Sequence, residues 1–325
     1  MKLAFLGDVM LGRGVNREIP FHPSEFFWGD VLPSLREAGA TIANLECALT
    51  GHLVPWQRTP KVFHFRADPA AVKVLQSGNV RCVSLANNHS LDFEEAGLIE
   101  TLEVLDQAKI LHAGAGRELS EARKPVLLSV EGVSVAFIAM TDNEPPFAAG
   151  INRPGTNFIE LSGETALGLV EEAVFRAKGM GAEFIVLSLH WGPNMVLNPP
   201  TRFKKFARDA LERGVDLIHG HSAHLFQGVE RHGKGLVLYD TGDFLDDYAV
   251  DPVLRNDWSF LFLVETGREG VKSLKLVPVC LRFAQVNLAK GKDFEAICAR
   301  MRQLSAPFGF SFESIPDGLL ASFEE

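Results

Sequence analysis

Five short apolar runs in this chain each stop at a side chain that can bind a metal or move a proton. No other feature constrains the fold as strongly. The runs end at Asp8, at Glu46, at Asn88-His89, at His190 and at the cluster His219-Gly220-His221-Ser222-Ala223-His224. Short apolar runs closed by glycine or polar residues are the pattern of strands buried on both faces. In open α/β sheets, sites gather at strand C-termini. Five such endings predict a single site assembled by the fold, rather than five unrelated turns.

The spaces between these runs have helical periodicity. Strands are expected at Lys2–Val9, Ala40–Leu45, 80–85 and 183–189, with helices at 24–38, 68–76, 94–108, 164–178 and 202–213. Pro33 should kink the first helix, and Pro69 suits the first position of the second. Segments 125–131 and 133–140 flank Gly132 as a hairpin. Runs 228–231, 235–239, 259–265 and 271–279 read as an antiparallel series, followed by a helix over 293–304 and a peripheral tail after Pro316. This order predicts an α/β fold of sheets packed face to face with helices outside. Without repeats or a low-complexity linker, a single domain over 1–325 is expected, with a core of about 2–285 and a C-terminal helix and tail over 286–325. Two long loops, 50–66 and 142–157, are candidates for functional segments.

Charge narrows the partners. The 41 acidic and 32 basic side chains give a net charge of −9 with no basic block, which argues against nucleic acid or an anionic membrane. An anionic small molecule or polymer would need local cations or metals to hold it. No run approaches the roughly 18–20 apolar residues of a membrane span, and the N-terminal apolar stretch is too short for a signal peptide. Cys47, Cys82, Cys280 and Cys298 are scattered without a CxxC pair, so reduced thiols and a cytoplasmic location are expected.

The run endings supply the chemistry. Asp8 is a metal ligand or an ordinary turn residue, with Arg13 behind it as a clamp for an oxyanion or carboxylate. Glu46 can bridge cations or cap a turn. Asn88 offers an amide oxygen to a hard metal, and His89 can protonate a leaving group while Asp92 fixes its tautomer. His190 ends another strand, and Asp243 repeats the strand-then-carboxylate pattern at the site rim. Lys61, His64 and Arg66 lie in the first long loop and read as solvated surface, with Lys61 and Arg66 as possible anion holders. No HExxH helix, GxSxG elbow or Walker motif is present, which disfavours zincin peptidases, α/β-hydrolases and P-loop enzymes. Mixed N/O ligands without cysteine suit one or two Mn, Fe or Zn ions.

The chain resembles the CapA family of poly-γ-glutamate capsule synthesis proteins, whose domain is similar to calcineurin-type metallophosphatases. The matching motifs are GDVMLGR at 7–13, NLE at 44–46, ANNHSLD at 86–92, HWG at 190–192, GHSAH at 220–224 and GDF at 242–244. The resemblance implies a four-layer α/β/β/α sandwich with mixed sheets. It implies Asp8, Glu46, Asn88, His190, His221 and His224 as metal ligands and His89 as the acid/base. Two departures stand out. Met10 occupies the place of a histidine in the first motif, and the last motif reads as His221/His224 or, one register earlier, His219/His221. The resemblance implies a metal-dependent hydrolase acting on a phosphoester or a γ-glutamyl bond, or else a non-catalytic polymer-binding or capsule-assembly factor.

Overall fold

The computed structural model describes residues 1–161 and 163–323. Among the described residues, two large sheets stand beside two short two-stranded ones, and the large sheets are built from the following strands. They are β1 (Lys2–Val9), β2 (Ala40–Leu45), β3 (Val80–Ser84), β4 (Leu111–Ala113), β5 (Val126–Val130), β6 (Val133–Thr141), β7 (Phe184–His190) and β8 (Leu217–His221). After these come β9 (Val229–His232), β10 (Gly235–Leu238), β11 (Asp243–Leu245), β12 (Trp258–Gly267), β13 (Gly270–Arg282), β14 (Gln285–Leu288), β15 (Glu313–Ile315) and β16 (Gly318–Ser322). The larger sheet runs β15-β16-β13-β12-β1-β2-β3-β4, with β11 beside β1 and β14 beside β13. The smaller runs β9-β10-β8-β7-β6-β5. Strands β1 to β4 are parallel, as are β6, β7, β8 and β10, while β12 and β13 are antiparallel, so both sheets are mixed.

Three layers of apolar contact define a four-layer α/β/β/α sandwich. Phe5 and Ile42 of the larger sheet meet Phe137, Val186 and Leu217 of the smaller one between the sheets. Leu6 and Leu45 face outward onto Leu98 and Leu102 of α1 (Glu94–Gln107). Ile185 and Leu187 face outward onto Val170 and Val174 of α2 (Glu164–Gly179) and Phe206 of α3 (Thr201–Glu212). Strands covered on both faces must be apolar throughout, which is why these runs do not alternate. A fourth helix, α4 (Gly291–Ser305), places Ile297 and Met301 against the inter-sheet core.

The last third departs from the expected single antiparallel series. The β9–β10 hairpin joins the smaller sheet, whereas β12–β13 joins the larger one. The end of the chain is not peripheral: β16 pairs with β13 and buries Leu319. Around Pro33, a 3-10 segment over Ser24–Val31 gives way to a separate helix, Leu32–Glu37, with Pro33 in its first turn, where the missing N–H costs nothing. No helix among the described residues is long and apolar enough to cross a membrane.

Candidate metal centre

The C-terminal ends of β1, β2, β3, β7 and β8 converge on one buried cluster. Asp8 reaches it through a local irregularity. Phe5 pairs with Ile42, yet Asp8 pairs with Asn44, so β1 carries one extra residue between them. Such a bulge moves a side chain to the opposite face. It places Asp8 on the inter-sheet side with Ile42 and Asn44 rather than toward the helices. Gly7 permits the close approach that follows, since a Cβ there would lie 1.7 Å from the Gly242 carbonyl oxygen. The Asp8 N–H donates to that same carbonyl at 2.8 Å, and Asp8 pairs in register with Asp243. The two Gly-Asp motifs therefore lie side by side.

Two groups of donors share Asp8. Asp8, His190 and His221 bring one ligand atom each within 4.8 Å of one another, as do Asp8, Glu46, His224 and Asp243. His190 Nδ1 and His221 Nδ1 face each other at 2.9 Å, and His221 Nδ1 is 3.7 Å from Asp8 Oδ1. Ser188 Oγ lies 2.8 Å from His221 Nε2, which leaves Nδ1 free to face the cluster. His224 Nδ1 is 2.8 Å from Asp243 Oδ1 and 3.7 Å from Asp8 Oδ2. An amide relay holds Asp8: Asn87 Nδ2 donates to Asn44 Oδ1 at 3.0 Å, and Asn44 Nδ2 donates to Asp8 Oδ1 at 2.8 Å.

The oxygens left over point to a cation. Asp8 Oδ2, Glu46 Oε1, Asn88 Oδ1 and Asp243 Oδ2 are all buried and accept no hydrogen bond among the described residues. Buried acceptors are otherwise almost always paired. Burial first, then the Glu46 charge, pushes Asp8 well above the usual carboxylate range, and burial likewise raises Glu46. Burial pulls His190 and His221 well below the ordinary imidazole value, leaving lone pairs available. His224 goes the other way: burial opposes its charge, but the carboxylates of Asp243, Glu46 and Asp8 outweigh it and raise it well above the ordinary value. One imidazolium among three carboxylates is an incomplete neutralisation that divalent ions would complete. The donor set fits such ions.

His219 stands apart from the other two histidines of its cluster. Strand β8 runs through His221, so His219 lies within the strand and is fully buried. Its Nε2 is 2.8 Å from the Leu6 carbonyl oxygen and 3.2 Å from Thr241 Oγ1. Met10 packs into the outer core and accepts the Gly12 N–H on sulfur at 3.0 Å. Asp243, fully buried and beside His224, joins the ligand group from the sequence pattern that had placed it only at the rim. Its signal was the second Gly-Asp pair.

Above the cluster lies a cleft of about 530 Å³ whose walls include Arg13, Lys61, Phe65, His89, His224 and Tyr248. His89 Nδ1 is 2.6 Å from Asp92 Oδ2, and its Nε2 is 4.0 Å from Glu46 Oε1. Phe65 stacks on the His89 ring at 4.0 Å and donates its N–H to Asp92 at 2.6 Å. Asn88 lies on the same wall. Arg13 is paired with Asp247 at 3.2 Å but remains 38% exposed, so its guanidinium is accessible. The Lys61 side chain is only 7% exposed, held against the cleft wall rather than solvated. It donates to the Asn88 carbonyl at 2.6 Å and sits 3.4 Å from both Asp92 and Glu144, joining the two long loops across the site. Arg66 and His64 are structural: Arg66 donates to the Thr50 carbonyl and Asp68, and His64 contacts the Trp56 carbonyl.

A four-layer α/β/β/α sandwich with a carboxylate–histidine cluster at its strand C-termini defines the class of protein. The chain belongs to the family described as bacterial capsule synthesis protein PGA_cap, which matches residues 2–248. It is similar to a probable polyglutamine synthesis accessory protein of Mycobacterium tuberculosis, at 28% identity over 97% of this chain and 93% of that protein. It is also similar to the PGA biosynthesis protein CapA of Bacillus subtilis, at 28% identity over 98% of this chain and 81% of that protein. Among solved structures, a hypothetical protein from Thermus thermophilus shares the fold, with a TM-score of 0.52 and 13% identity over 86% of this chain and 98% of that chain.

Proposed function

We propose that this chain is a divalent-metal-dependent hydrolase of the capsule-synthesis family, acting on a phosphoester or γ-glutamyl bond of an anionic substrate. One observation carries the reading. Two ligand groups share Asp8 directly beneath a cleft, and the cleft presents a histidine–aspartate pair beside them. Asp8, His190 and His221 would hold one ion, and Asp8, Glu46, His224 and Asp243 a second, with Asn88 as a further oxygen donor. Mn, Fe or Zn match this N/O set. Such ions supply Lewis-acid polarisation and water activation.

The protein's own groups divide the remaining work. Asp92 accepts from His89 Nδ1 and orients the ring so that Nε2 faces the cleft, from which the doubly protonated ring can hand its Nε2 proton to a leaving group and return to the neutral Nδ1–H form. Lys61 holds Asp92 from its other side. Arg13 binds an anionic group of the substrate at the cleft wall. The relatives' names, polyglutamine synthesis and PGA biosynthesis, support a polymer as that substrate.

Purified protein loaded with Mn should cleave a generic phosphoester or a γ-glutamyl oligomer, lose that activity on chelation, and lose it in His221→Ala. Tight polymer binding that survives chelation, with no turnover of either substrate, would instead support a capsule-assembly factor.

A further inference from the structure

We propose that Tyr248 is a positioning residue for the metal centre, fixing Glu46 as a one-oxygen ligand; this rests on the functional reading above. The Tyr248 hydroxyl donates to Glu46 Oε2 at 2.8 Å, while Glu46 Oε1 is buried without a partner. One carboxylate oxygen is thus engaged by the phenol and the other is left for an ion. The ring also makes an edge contact with His224, at 5.3 Å between centroids, so the phenol borders two donors of the same group.

The choice of tyrosine here is specific. The chain has 24 phenylalanines and only two tyrosines, so aromatic bulk alone is supplied by phenylalanine. The other tyrosine, Tyr239, also donates its hydroxyl to a glutamate, Glu230. In both places the hydroxyl has a carboxylate to hold. Tyr248 further links this ligand to the cleft wall, because Arg13 lies over both its ring, at 5.7 Å, and the Phe65 ring, at 5.4 Å. Groups that orient a ligand through a hydrogen bond commonly change metal affinity about 10- to 100-fold when removed. Without the phenol, Glu46 gains a second free oxygen and loses its fixed rotamer.

The test is Mn²⁺ binding to the chelator-stripped full chain, followed by titration calorimetry and metal analysis. Wild type, Tyr248→Phe, Glu46→Gln and the double variant are compared. Two ions are expected in wild type, with one of them held about 10- to 100-fold more weakly in Tyr248→Phe. In the Glu46→Gln background, Tyr248→Phe should produce no further change, because there is no carboxylate ligand left to orient. If wild type binds two ions and Tyr248→Phe binds both with unchanged affinity, this inference falls while the functional reading stands. Equal weakening in both backgrounds means general loosening of the fold, and also overturns it. If wild type binds no Mn²⁺, the functional reading is lost and this inference with it.

Discussion

Replacing His219 by alanine separates structural from ligating histidines in a cluster whose spacing permits either role. The side chain is fully buried between the sheets and joins β8 to β1 through the Leu6 carbonyl at 2.8 Å. Truncation removes that bond and leaves a cavity, a combination that costs about 2–4 kcal/mol. Unfolding entropy of about 2 cal/mol/K per residue, over 325 residues, makes each kcal/mol about 1.5 °C in Tm. The expected loss at pH 8 is therefore roughly 3–6 °C, with metal content unchanged. A pH series adds a second signature. Burial holds His219 down at about 4, below its ordinary value near 6.5, so the unfolded chain takes up the proton first. Stability from this neutral imidazole is present above pH 6.5 and is lost as pH falls toward 4, by roughly 3 kcal/mol. Calorimetric scans in chelator should show the gap between wild type and variant narrowing over that window. A constant gap, or the loss of an ion at unchanged Tm, would refute the reasoning.

Other outcomes follow from the same geometry. His89→Asn and Asp92→Asn should each slow turnover about 10²- to 10⁴-fold on substrates with poor leaving groups and less on activated ones, with metal content retained; steady-state kinetics across a leaving-group series checks this. Asn44→Ala removes the donor that orients Asp8 and should weaken metal binding about 10- to 100-fold, measured by competition with a chelating dye. Chelation should lower Tm by about 8 °C, since two ions at a hundred times their Kd contribute about 5 kcal/mol together. Reloading near neutral pH should release a proton into a weakly buffered dye solution, because the imidazolium of His224 must give its proton up before it can bind an ion. The stabilising contribution of charged His224 to the chelated protein is present at low pH and is lost as pH rises through its raised folded value, so chelated protein should lose Tm with rising pH more steeply than loaded protein.

Much of the layer order was legible because strands buried on both faces leave unbroken apolar runs, as in Lys2–Val9 and Ala40–Leu45, whose limits match the observed strands. Strand β4 is only three residues long, Leu111–Ala113, too short to leave a pattern. The division of the last third between two sheets was hidden because hairpin periodicity is the same whichever sheet receives it. At the site, the run endings at Asp8, Glu46, His190 and His221 marked positions that the fold brings together. The bulge that turns Asp8 inward left no sequence signal, since it depends on the pairing partner Asn44. Lys61 was misread as solvated because loop composition does not reveal that the two long loops meet. Tyr248 and Asn44 were missed because neither ends an apolar run at a ligand-type side chain.

The most direct test of a shared centre is a crystal structure of Mn- or Zn-loaded protein with anomalous scattering at the metal edge. Two ions are expected, both bound by Asp8, one also held by His190 and His221 and the other by Glu46, His224 and Asp243. No ion, or an ion held by His219, would contradict this assignment.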